Sequence, residues 1–163
     1  MYFNESRQKF REKVKQGLLN YTKQNHVELL NKKNITFTKD RESFMKLNMC
    51  RILQQYQIAW EMRYDYFKLV EAYYQNKITI LDFKNKFLER DASAEKCFEL
   101  LESEQIFFTP YENSIDFGML VSDTHSCCQE HASYLDEFNS DHKIGNTQFR
   151  SLLEEIYQEM KKY

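Results

Sequence analysis

Apolar residues recur at helical spacing through most of this chain, and the few places where the rhythm fails mark out its elements. Phe10, Val14, Leu18 and Tyr21 share one face of a segment at 4–24, with Asn4 or Ser6 able to cap it. Gly17 lies in its interior, where glycine costs about 1 kcal/mol relative to alanine and predicts a looser helix. A short helical piece at 26–33 and an alternating stretch at 34–38, read as an extended connector, follow. From a cap at Thr38 or Asp40, the residues Phe44, Met49, Leu53, Tyr56, Trp60, Phe67 and Val70 carry the pattern on to 75. The spacing predicts one helix of about 35 residues, or two meeting near Trp60. Asn76-Lys77-Ile78 then interrupts it. Thr79 offers an N-cap hydroxyl with Asp82 three residues on, a variant of the capping box, and Leu81, Phe83, Phe87 and Leu88 resume the rhythm. Two helices joined by so short a link form an antiparallel αα-hairpin.

Beyond the hairpin, Ala92-Ser93-Ala94 reads as a tight junction with Ser93 capping a further helix, whose inner face is Cys97, Leu100 and Leu101. The only proline, Pro110, breaks the pattern within 107–114. Phe117 to Val121 is apolar but short, and is expected to be a tucked-in loop. A helix at 123–138, a polar loop at 136–146 and a final helix carrying Leu152, Leu153, Ile156 and Met160 complete the chain. With 3 Gly and 1 Pro in 163 residues, a many-turned β architecture is disfavoured. The expected fold is all-α: an antiparallel four-helix body at 63–163 with an N-terminal helical extension at 1–62.

Charge sharpens that division. The net charge is −2, but residues 1–46 hold eleven Lys/Arg against five Asp/Glu, while 63–163 hold eleven against nineteen. A basic head precedes an acidic body. The head could serve nucleic acid, with steeply salt-dependent binding, or fold onto the acidic body as an ordinary surface helix; the acidic body makes nucleic acid the poorer partner.

The 4 cysteines, Cys50, Cys97, Cys127 and Cys128, lack a disulfide framework spacing and read as thiols in a reducing compartment. No apolar run approaches the roughly 20 residues of a membrane span, and the start lacks an apolar signal core. Abundant Lys, Asn, Tyr, Phe and Ile suggest an AT-rich genome. The expected location is the cytoplasm, or the stroma or matrix of an organelle with such a genome.

Chemistry-bearing motifs are scarce. His125, Cys128 and His131 step by three along a helix and could converge on Zn²⁺ with Cys127 nearby. A second ligand pair is missing, so neither a metal nor any other cofactor is expected. A Cys–His nucleophile would need an activating environment that the sequence does not show. Glycines at 17, 118 and 145 cannot build a phosphate loop, and neither H-E-x-x-H nor G-x-S-x-G occurs. These absences predict a protein that is not an enzyme. What remains is acid: Glu89, Asp91, Glu95, Glu99, Glu102 and Glu104 in the body, with Asp136 and Glu137 further on. Such residues are either the solvated faces of a bundle or an anionic surface for a basic partner.

The stretch from Leu69 to Phe87, with its turn Asn76-Lys77-Ile78-Thr79 and Phe83 just inside the second helix, resembles the opening of the colicin-D-type immunity proteins. Asp136-Glu137-Phe138-Asn139 and Phe149 to Ile156 resemble that family's acidic loop and closing helix. The similarity covers 63–163 and leaves the first sixty or so residues unmatched. It implies a small helical bundle that binds a tRNA-cleaving toxin domain and blocks its active site, without cofactor or turnover. Glu89, Asp91, Glu95, Glu99, Glu102, Glu104, Asp136 and Glu137 are then the candidate contact residues by their charge. The alternative is a structural or regulatory subunit of a larger cytosolic or organellar complex, which the N-terminal extension favours.

Overall fold

The computed structural model describes residues 4–131 and 144–163, and among these the protein is all-α. The helices are α1 (Glu5–Asn20), α2 (Lys23–Asn31), α3 (Arg41–Glu61), α4 (Arg63–Tyr74), α5 (Ile80–Ser103), α6 (Glu112–Glu130) and α7 (Asn146–Met160). The backbone N–H of Ile144 donates to Glu130 O at 3.0 Å, next to an isolated bridge between His131 and Ile144.

Several helix starts follow from side chains that accept a backbone N–H. Asn4 accepts from Arg7, Thr22 from Asn25, Asp40 from Ser43 and Thr79 from Asp82. At Thr79 the box closes differently from the expectation. The hydroxyl donates to the Asp82 carboxylate at 2.9 Å, so the acid holds the cap's side chain instead of its backbone N–H. The link before it turns through Asn76 at φ 56°, in the left-handed region that Asn tolerates. Arg150 donates to the Asn76 side chain at 2.8 Å and ties the turn to α7. The hairpin is antiparallel: Tyr73 packs on Phe83, and Arg90 pairs with Asp65 at 2.9 Å.

Four sequence expectations are corrected. The 34–38 connector is a run of turns, with Asn34 at φ 64°. The 41–74 pattern, by contrast, takes the second of its two expected forms, two helices, α3 and α4, that meet at Met62 beside Trp60. Ala92-Ser93-Ala94 is no junction, because alanine is the best helix former and Ser93 bonds back to Glu89 O at 3.0 Å within one continuous helix, α5. In the second half of α5 the buried residue is Phe98, while Cys97 and Leu100 face solvent. The expected 117–121 loop and residues 123–130 of the expected 123–138 helix are instead one helix, α6, which begins at Glu112 and ends at Glu130, while 132–138 lie outside the described residues. Ser114 helps start it, its buried hydroxyl donating to Tyr111 O at 2.6 Å.

Two apolar clusters make the core. The larger joins Ala59 and Trp60 of α3 to α4, α5, α6 and α7, with Tyr66, Phe83, Phe87 and Phe149 fully enclosed. Burial of a phenylalanine side chain contributes about 2–3 kcal/mol. The smaller unites Val14 of α1, Leu53 of α3, and Ile115 and Met119 of α6. Helices α3 and α6 belong to both clusters and make the most extensive helix pair in the molecule. The boundary at 62 thus falls at the α3–α4 junction, with Trp60 on one side and Tyr66 on the other sharing one core.

Both helical glycines sit where α3 approaches a neighbour. A Cβ at Gly118 would overlap the ring and Cβ of Tyr56, and one at Gly17 would overlap the Met49 thioether. Gly17 thus permits contact and leaves α1 unbroken. Tyr56 is branched and stiff at the clash, whereas Met49 can swing away. We expect Gly118→Ala to lower unfolding stability in urea by about 1–3 kcal/mol, the cost of overpacking. Gly17→Ala should change it by less than about 1 kcal/mol, since gained helix propensity offsets the displaced methionine.

Candidate functional site

The basic head is folded onto the body by a ladder of ion pairs. Successive turns of α1 present Arg7, Arg11 and Lys15, which pair with Asp123, Asp116 and Glu112 of α6 running the opposite way. Arg7 Nε donates to Asp123 at 2.7 Å, and Arg11 grips Asp116 with both Nε and Nη2. Pairs at a protein surface contribute up to about 1 kcal/mol each, so the ladder sets the register of α1 more than its stability. It also turns three cations of the basic head away from solvent, which removes them from any nucleic-acid contact.

The candidate acids divide into two groups. Glu89, Glu95, Glu99 and Glu104 are exposed on α5 and its C-terminal cap. Among the described residues, no cation lies within ion-pair distance of any of the four. Asp91 and Glu102 are instead half-buried and internally engaged. Asp136 and Glu137 lie outside the described residues.

Glu102 anchors a polar network under α2. Arg51 of α3 binds it with two parallel bonds of 2.7 and 2.9 Å, the bidentate geometry that makes such pairs strong. Beside it lies His26, fully buried, its Nε2 3.9 Å from Glu102 and, among the described residues, without a hydrogen-bond partner. The imidazole stacks on Phe107 at 4.0 Å between centroids, and its Nδ1 is 3.3 Å from the Tyr21 hydroxyl. Burial pushes the Tyr21 phenol up to about 12, so it stays neutral and can donate to that nitrogen. Tyr21 in turn accepts from Gln54 at 2.9 Å, and Gln54 exchanges hydrogen bonds with the backbone N–H and carbonyl of Phe108. This chain holds the 104–111 segment against α3.

Asp91 anchors a second network. One carboxylate oxygen accepts from the Tyr66 hydroxyl at 3.2 Å and the other meets Nδ1 of His125 on α6. These groups line a cleft of about 350 Å³ between α3, α4, α5 and α6, with Tyr56, Glu95 and Ser122 on its walls. Burial pushes the Tyr56 phenol up to about 12.

The remaining members of the histidine–cysteine cluster serve packing. Cys127 and Cys128 are buried, and burial pushes the Cys128 thiol up to about 12, far from a thiolate at neutral pH. His131 caps α6, accepting from Lys84 at Nδ1 (3.2 Å) and donating from Nε2 to Asn146 (2.7 Å). Both of its nitrogens are occupied. Among the described residues, no group of three or more His, Cys, Asp or Glu side chains could hold a metal ion. Nor is any described helix long and apolar enough to cross a membrane.

Sequence reasoning missed both internal networks, although a signal for them existed. If 79–104 is taken as one helix, Asp91 lies four residues after Phe87 and Glu102 four after Phe98, on the same row as the buried phenylalanines. An acid in an aromatic row needs an internal partner. Comparisons with protein-family models, curated proteins and solved structures found no match to this chain.

Burial lowers the pKa of His26, the neighbouring Glu102 opposes that shift and Arg51 adds to it. The unfolded chain, with the ordinary value of 6.5, therefore takes up the proton first as pH falls. The His26 contribution is fully present above that value and is lost below it, by up to about 1.4 kcal/mol per pH unit. Urea unfolding from pH 7.5 to 5 should show this decline, and His26→Gln should flatten it even where it lowers stability at pH 7.5.

Proposed function

We propose that the protein is a non-enzymatic protein-binding module, an immunity-like inhibitor that covers the basic active site of a ribonuclease toxin with the exposed acids of α5. The observation that carries this reading is the division of labour among the carboxylates. Glu112, Asp116, Asp123, Asp91 and Glu102 are engaged within the fold, whereas Glu89, Glu95, Glu99 and Glu104 are presented to solvent on one helix without a cation partner among the described residues. Leu100 and Ile106, 64% and 55% exposed, lie close to Glu99 and Glu104 in the chain. Exposed apolar side chains beside exposed acids suit a protein surface better than a bare polyelectrolyte. The acids would stand in for RNA phosphates before a site built to hold them, and would speed encounter by charge complementarity. The resemblance of 63–163 to colicin-D-type immunity proteins points the same way.

The test is a tagged pull-down from the native host at moderate salt, comparing the wild-type protein with Glu89→Lys/Glu99→Lys/Glu104→Lys. Glu102 is left in place because it holds Arg51. We expect wild-type protein to retain one small basic nuclease at near-equal stoichiometry, and the variant to bind it on the order of tenfold to hundredfold more weakly with its thermal unfolding unchanged. Several subunits of one resident complex, held equally by both proteins, would overturn the inhibitor reading in favour of a structural or regulatory subunit.

A further inference from the structure

The cleft beside α5 has a built hydrogen-bonding chain and an open end. A carboxylate can only accept, so Asp91 keeps the proton of a neutral His125 on Nδ1. The Tyr66 hydroxyl, donating to the other oxygen at 3.2 Å, fixes Asp91 in turn. The lone pair of His125 is thereby placed on Nε2, and among the described residues that nitrogen has no hydrogen-bond partner. The imidazole is about one-third exposed, with a side-chain accessibility of 34%.

Around it the cleft offers acceptors: the Glu95 carboxylate, the Ser122 hydroxyl shared with Tyr56, and the Tyr56 ring face. Among the described residues, no lysine or arginine lines it. Its volume of about 350 Å³ is at the small end of the roughly 300–1,000 Å³ of ligand sites, suited to a single side chain. A flat cation with several N–H donors satisfies this lining best. It can donate to Nε2 and to Glu95 at once and lie against an aromatic ring, which a point-charged ammonium does less well.

We propose that this cleft receives the guanidinium group of an arginine from the protein partner. The inference rests on reading the protein as a binding module, and it gives that module an anchor at the edge of the acidic face. The arginine would reach between α5 and α6, pairing with Glu95 and donating to His125, while Asp91 and Tyr66 hold the imidazole in place.

The test uses the full chain and small probes, N-acetyl-arginine amide, N-acetyl-lysine amide and N-acetyl-citrulline amide, followed by two-dimensional NMR of backbone amides and histidine ring nitrogens. Saturable shifts are expected with the arginine amide at millimolar concentration, centred on residues 91, 95, 118, 122 and 125 and on His125 Nε2. The lysine amide should bind about fivefold or more weakly, and the uncharged citrulline amide should give no saturable shift. Glu95→Gln, an exposed substitution that spares the core, should weaken arginine amide binding about tenfold, one charge-assisted contact. His125→Gln should abolish the cleft response. Absence of saturation, equal binding of the three probes, or an unaltered response in Glu95→Gln would each overturn the proposal. Because the charge-reversal variant keeps Glu95, the two readings separate. Arginine amide bound here while that variant captures its partner normally leaves the cleft and removes the α5 face. Loss of capture with a silent cleft does the reverse.

Discussion

Everything in this structure is built on the close approach of α3 and α6, which the missing side chain of Gly118 allows. Both apolar clusters need it. Trp60 of α3 meets Phe117 edge-on in the larger cluster, and Leu53 joins Ile115 and Met119 in the smaller. With these two helices fixed, the α4–α5 hairpin and α7 close over one end of the pair, and α1 over the other. The same helices supply the walls of the cleft and the acids of the ladder, so their spacing sets the geometry of both.

Electrostatics then sorts the surface. A protein with a surplus of cations at its start and of acids afterwards could have been extended, with its head free to search for anions. Instead, α6 takes up the cations of α1 at three points and Glu102 takes up Arg51. Glu89, Glu95, Glu99 and Glu104 of α5 are among the exposed acids that take no part in this internal matching among the described residues. The carboxylates engaged within the fold and the exposed ones of α5 are thus different residues, and charge can be altered at one set without dismantling the other.

The sequence made some of this readable and hid the rest for physical reasons. The hairpin was legible because Thr79 and Asp82 cap in a recognisable register and the break before them is short. The α7 stripe of Leu152, Leu153, Ile156 and Met160 was legible because only one face of that helix is buried. Helix α6 was not, because Ile115 and the run Phe117 to Val121 are apolar on all sides, and a helix enclosed on all sides has no period to read. Gly118 compounded this, since a glycine that admits a neighbouring helix looks like one that ends its own. The six acids of α5 looked alike in a charge count. Only the continuity of that helix reveals that Asp91 and Glu102 share a row with Phe87 and Phe98.

The ladder between α1 and α6 also carries a kinetic consequence. Its pairs join residues 97, 105 and 116 positions apart, and the Val14 cluster is closed by the same α6. Contacts this distant in sequence are slow to form, because the loop between them must be ordered first. During synthesis, which proceeds from the N-terminus, α1 is made well before α6 and can meet α3, but not the acids of α6 until residues 112–123 have followed it. The three cations of α1 therefore stay unmatched by their acids until roughly a hundred further residues have been made.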